Sequence, residues 1–147
     1  MKATILINLF LILFGCSSSR PAATEAWINF KFDRAVAYYY SPGLLDEEFV
    51  ENAKINPLVQ PNDGVELSDT LIQQLNSILS SPDKYIGYSV MDCFLPRHGV
   101  VFWDEDKPIA WISVCFECGK MTTNPVVEKE ELVDLKTFFK RLGFPTE

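Results

Sequence analysis

The sequence predicts an α+β fold: an antiparallel sheet of about four to five strands with two helices packed on it. Three observations lead there. Gly99 to Trp103 and Pro108 to Cys115 are rich in Val, Ile, Phe and Trp and flank the polar tetrapeptide Asp104-Glu105-Asp106-Lys107, which predicts a central β-hairpin over 99–115. Two other segments, Ser68 to Ser80 and Glu128 to Leu142, repeat their apolar residues with helical spacing. The remaining strand signals follow one another through turns, without the helical crossovers that a parallel sheet requires.

Trp27 to Phe32 alternates, with Ile28, Phe30 and Phe32 on one side, and reads as a first strand. Ala35 to Tyr40 reads as a second, with Val36, Tyr38 and Tyr40 sharing a side. The stretch from Ser41 to Gly64 holds three prolines and two glycines and reads as irregular, with a short acidic helix over Leu44 to Lys54. In the Ser68–Ser80 helix, Ser68 or Asp69 supplies the cap and Leu71, Ile72, Leu75, Ile78 and Leu79 form the stripe; Pro82 stops it. Tyr85 to Met91 reads as a strand leading into the hairpin. In the final helix Leu132, Leu135, Phe139 and Leu142 form the stripe. Glutamates sit at its start and Lys140-Arg141 at its end, the order that the helix dipole favours, and Gly143 and Pro145 end it.

A two-residue turn at Glu105-Asp106, or a four-residue loop, sets the same hairpin register, whereas a three-residue loop would shift it by one. The favoured register places Trp103 opposite Pro108, Phe102 opposite Ile109 and His98 opposite Ser113. His98 and Cys115 then share a face. Continued outward, the same register sets Cys93 opposite Cys118, at a Cβ separation of roughly 4.5–5.5 Å, close to what a disulfide needs.

The start of the chain predicts its compartment. Met1-Lys2 is followed by the apolar run Ile5 to Phe14, which is shorter than the about 20 residues of a membrane span and has the form of a secretory signal. It ends in Leu13-Phe14-Gly15-Cys16, then Ser17-Ser18-Ser19. This resembles the lipobox of bacterial lipoproteins: Leu13, Gly15 and Cys16 match, whereas Phe14 stands where a small residue is usual. The resemblance implies cleavage before Cys16 and a diacylglycerol thioether, with an acyl chain such as palmitate on its amine. The expected organisation is a signal peptide over 1–15, a lipidated tether over 16–26 and a single α+β domain over 27–147. The expected location is the bacterial cell envelope, and Ser17 after the cysteine favours the outer membrane where two membranes exist. The block from Pro96 to Trp103 with Ile112 to Cys118 is also similar to a motif of bacterial envelope proteins with no assigned activity, which adds the compartment and nothing more.

With 13 basic and 20 acidic residues the net charge is −7, and loss of Lys2 with the leader makes it more negative. Such a body is a poor ligand for nucleic acid and lacks a polybasic face, so the expected membrane link is the lipid alone. Hydrophobic residues make up 48% of the chain, enough for a packed core.

Besides Cys16, three cysteines and the lone histidine could carry chemistry: Cys93, His98, Cys115 and Cys118. In an oxidising compartment the simplest arrangement is a Cys93–Cys118 disulfide stapling the hairpin, with Cys115 as a buried thiol beside His98. The alternative is a Cys3His zinc site made of all four, with Cys115-x-x-Cys118 as a knuckle. A thiol-redox role for the C-x-x-C is a further alternative, although Gly119 to Thr123 is a poor helix start and such motifs use a helix N-terminus to stabilise the thiolate. A Cys115/His98 nucleophile pair lacks a third, orienting group. The chain has no Gly-rich phosphate loop and no Ser-His-Asp set. The resulting expectation is a non-enzymatic binding or structural protein without a cofactor, zinc being the alternative.

Overall fold

The computed structural model describes residues 26–41, 49–57, 60–61, 64–81, 94–127 and 132–146. The fold is α+β, as the patterning predicts. The strands are β1 (Arg34–Ser41), β2 (Val50–Glu51), β3 (Lys54–Ile55), β4 (Gln60–Pro61), β5 (Val65–Glu66), β6 (His98–Asp104), β7 (Lys107–Cys115) and β8 (Lys120–Asn124), and the helices are α1 (Asp69–Ser80) and α2 (Val133–Arg141). The main sheet is antiparallel in the order β4-β1-β6-β7-β8, and β5 also pairs with β1. β2 and β3 form a separate small hairpin.

Both sheet faces are covered around β6. On one face α1 and α2 pack over Ala35, Ala37, Val100, Phe102, Ala110, Ile112 and Val114. On the other, Phe49, Val50 and Ile55 of the small hairpin meet Tyr40, Val101 and Trp111. Phe49 stacks on Tyr40 with centroids 4.2 Å apart. The sequence expectation places Val50 to Lys54 in an acidic helix. The segment is a hairpin because Asn52 and Ala53 take φ of 50° and 56°, the paired left-handed geometry that a tight hairpin turn requires and a helix excludes. Residues 44–48 of that expected helix, and the strand expected over 85–91, lie outside the described residues.

The segment 27–33 alternates as anticipated but joins no ladder. Helix α1 takes the segment's first two amides, Trp27 N–H donating to Ser80 Oγ (2.9 Å) and Ile28 N–H to Asn76 Oδ1 (2.8 Å), while Asp33 N–H at the far end of the segment donates to the Trp103 carbonyl (2.8 Å). It lies across the helix-side core, where Trp27, Phe30 and Phe32 pack against Phe102 at centroid distances of 5.7, 5.4 and 5.1 Å.

The α1 cap is Ser68, whose Oγ accepts from Leu71 N–H, and Leu75, Ile78 and Leu79 are its buried residues. In α2 Leu135, Phe138 and Phe139 are buried, Asp134 lies in the first turn and Lys140 and Arg141 in the last. Gly143 follows at φ 86°, the left-handed position that glycine fills at a helix end.

The β6–β7 hairpin keeps the predicted turn, with Trp103 opposite Pro108 and Asp104 opposite Lys107. A bulge then intervenes. Phe102 pairs with Ala110, so Ile109 is the extra residue, and His98 pairs with Val114 in place of Ser113. Beyond the bulge each β7 side chain therefore lies on the face opposite to the regular-ladder expectation.

Gly99 shows how closely the second face is packed. A Cβ there would lie 2.8 Å from Phe49 Cδ1 and 3.0 Å from the Ile112 carbonyl oxygen. Gly99→Ala is expected to cost about 1–3 kcal/mol in urea unfolding, as overpacking does. The same substitution in a Phe49→Leu background is expected to cost clearly less, because the shorter side chain removes the colliding ring atoms; an equal cost in both backgrounds would assign the penalty to the contact with the Ile112 carbonyl.

Candidate functional site

Of the residues singled out in the sequence, His98, Cys115 and Cys118 are among those described, and they lie at the end of the sheet away from the β6–β7 turn. Cys115 closes β7, residues 116–119 form a turn with Gly119 at φ 63°, and Lys120 opens β8 opposite Cys115. The short return brings the two cysteines of the C-x-x-C together, with Cα atoms 5.2 Å apart and sulfurs bonded. Cys118 N–H also points at Cys115 Sγ, 3.1 Å away. Cys115 is 2% exposed and Cys118 1%.

This corrects the expected pairing. Cys118 is bonded to Cys115, a partner three residues away, and not to Cys93; Cys93 lies outside the described residues. A turn between adjacent strands holds its two ends together at little further entropic cost, whereas a Cys93 partner requires closure of a loop containing the whole β6–β7 hairpin.

His98 is 4% exposed and sits on the helix-side face. Tyr39, Phe116 and Phe139 surround its ring at centroid distances of 5.2, 4.8 and 5.1 Å. Its Nε2–H donates to the carbonyl of Pro145. Nδ1 is buried and has no hydrogen-bond partner among the described residues. The observed register pairs His98 with Val114, so strand alternation directs Cys115 to the opposite face. The two therefore do not share a face as expected, although both border one small cavity at this end of the sheet. At the mouth of this region Arg97 Nε and Glu117 lie 3.9 Å apart, a half-exposed ion pair beyond hydrogen-bonding distance.

Three of the four expected zinc ligands are thus committed elsewhere. The sulfurs of Cys115 and Cys118 are bonded to each other and His98 Nε2 is turned to a backbone carbonyl, so these three side chains do not converge as a ligand set. Among the described residues no group of three or more His, Cys, Asp or Glu side chains comes together. The redox alternative has the right bond, but its sulfurs are buried and a strand, not a helix N-terminus, follows them.

Sequence reasoning missed Phe116 and Pro145 as neighbours of the histidine. In the sequence Pro145 signals only the end of the helix, and nothing local places its carbonyl beside His98. The chain has no significant match among known protein families, curated proteins or solved structures. No helix among the described residues is long and apolar enough to cross a membrane.

Burial holds the His98 pKa below its ordinary value; the Pro145 carbonyl acts in the opposite sense, and the charge of Arg97 lowers it again. The unfolded chain takes up a proton near the usual 6.5 while the folded chain still refuses it, so this contribution to stability is present above pH 6.5 and lost as pH falls through that value toward the folded pKa. Urea midpoints measured from pH 7.5 to 5 are expected to fall more steeply for the parent protein than for His98→Phe. Parallel slopes would remove the histidine from the acid response. For the disulfide, chain-entropy arithmetic for so short a loop gives a loss of roughly 2 kcal/mol for the double variant Cys115→Ser/Cys118→Ser. Alkylation of the denatured, unreduced protein is expected to leave these two sulfurs unmodified, and peptide mapping would locate them.

Proposed function

We propose that the chain is a lipid-anchored protein of the bacterial envelope, with a binding or structural role in place of a catalytic one. The observation that carries this reading is the order of features along the chain: an apolar leader ending in Leu13-Phe14-Gly15-Cys16, a small polar segment, then a domain whose first described residues already dock onto its core through Trp27. A lipid on Cys16 would hold that domain at a membrane without a spanning helix. The outer membrane is the favoured location where two are present.

A non-catalytic role draws its support from the interior. The imidazole of His98 is enclosed by three aromatic rings and the Cys115–Cys118 sulfurs are buried, so these groups are not offered to a substrate in solution. The thiol-redox reading keeps one favourable observation, the bonded C-x-x-C itself. A reduction potential in the range of thiol oxidoreductases, with turnover of a disulfide substrate, would select that reading.

Cells expressing the full chain and fed labelled palmitate are expected to label it, and Cys16→Ser is expected to abolish the label and leave the protein unprocessed. Intact mass of the parent protein is expected to show loss of residues 1–15 and gain of diacylglycerol on Cys16. An unlabelled, membrane-free parent protein would overturn the anchored reading.

A further inference from the structure

Beside the histidine lies a cavity of about 10 Å³, bordered by Leu95, Arg97, His98, Cys115, Phe116 and Glu117. It has room for the centre of about one water molecule. Two of the bordering side chains each bring a polar atom that is buried and has no hydrogen-bond partner among the described residues: Arg97 Nε and His98 Nδ1. His98 is almost wholly withdrawn from bulk solvent, so only a molecule inside the protein can meet its second nitrogen.

The two atoms differ in chemistry, and the difference selects the ligand. A carbonyl only accepts, so the bond to Pro145 fixes the imidazole proton on Nε2. Burial keeps the ring neutral at neutral pH, which leaves Nδ1 as a lone pair that needs a donor. Arg97 Nε is an N–H that needs an acceptor. A third group stands at the same cavity: Glu117 Oε1 lies 3.9 Å from Arg97 Nε, too far for a direct hydrogen bond and near enough for one small molecule to touch both from the side. A metal cation there would face the guanidinium, and an anion such as chloride would face the carboxylate and the lone pair. Water accepts and donates at once, which is what one N–H, one lone pair and one carboxylate require.

We propose that this cavity is a binding site for a single internal water, which accepts from Arg97 Nε–H and donates to His98 Nδ1 and to the Glu117 carboxylate. Three hydrogen bonds are the usual complement of a buried water. The water joins parts of the chain that no direct bond connects. The Pro145 carbonyl behind α2 holds one nitrogen of the imidazole; through the other nitrogen the water ties the ring to the start of β6 and to the turn that carries the C-x-x-C. It also gives the enclosed ring a hydrogen-bonded path to the half-exposed Arg97–Glu117 pair.

The test is a high-resolution crystal structure of the full chain beside those of two variants. Arg97→Met keeps most of the side-chain stem and removes the N–H; His98→Phe keeps a ring and removes the lone pair. In the parent protein one density peak is expected in the cavity, within about 2.7–3.2 Å of both Arg97 Nε and His98 Nδ1. The peak is expected to be lost or displaced in each variant. In solution, magnetic relaxation dispersion of the water signal, which counts long-lived internal molecules, is expected to show a loss of one such molecule in His98→Phe. A dry cavity in the parent protein, a peak that misses either nitrogen, an unchanged peak in either variant or an unchanged count of long-lived waters overturns the water site.

Discussion

Strand β6 is apolar on both sides, and the domain is arranged to keep water from it. Val100, Val101 and Phe102 are successive residues, all fully buried, so their side chains demand cover on two opposite faces at once. The helices and the segment 27–33 supply one cover and the small β2–β3 hairpin the other. Neither would suffice alone, because an antiparallel sheet with one bare apolar face exposes a patch that invites association. The covers also explain the glycine at 99: Phe49 lies against the strand at that point and leaves no volume for a side chain.

The bulge at Ile109 follows from the same crowding. Phe102 is surrounded by three aromatic rings from the segment 27–33, and the position across the ladder from it must be small. Slipping β7 by one residue offers Ala110 there and carries Ile112 and Val114 to the helix side. In the regular register the bulky Ile109 would stand opposite Phe102, and Trp111 would face the helices. The slip sends Trp111 to the second face, where the short β2–β3 hairpin leaves room for it.

The helices, β1 and the β6–β7 turn were legible because each is specified locally: a cap and a stripe, an alternating run, a polar tetrapeptide between apolar runs. What was not legible depends on partners distant in the chain. The alternation of 27–33 is real, yet its first two amides go to Ser80 and Asn76 of a helix some fifty residues on, which no local pattern announces. The bulge is decided by volume across the core, and once it was missed the faces of Ser113 and Cys115 were exchanged with it. Strand β8 is short and begins from Lys120-Met121, a weak signal that only its pairing with β7 makes a strand. Without β8 the C-x-x-C had no reason to close on itself, and Cys93 looked the better partner.

The single histidine is better understood as a core residue with one polar task than as a reagent. Phenylalanine would fill the space among Tyr39, Phe116 and Phe139 at least as well and would leave no Nδ1 that lacks a partner among the described residues, a burial that costs about 1–3 kcal/mol where it is left unmet. What phenylalanine lacks is a donor. The Nε2–H reaches the carbonyl of Pro145 and fixes the segment that leaves α2, which in turn holds Phe144 against Tyr39 and Phe139. Proline has no N–H with which to make a ladder bond of its own, so its carbonyl is the one backbone handle this residue offers. A neutral imidazole, kept neutral by burial, is the ring that grips it, and the same neutrality ties the closure of this corner to pH.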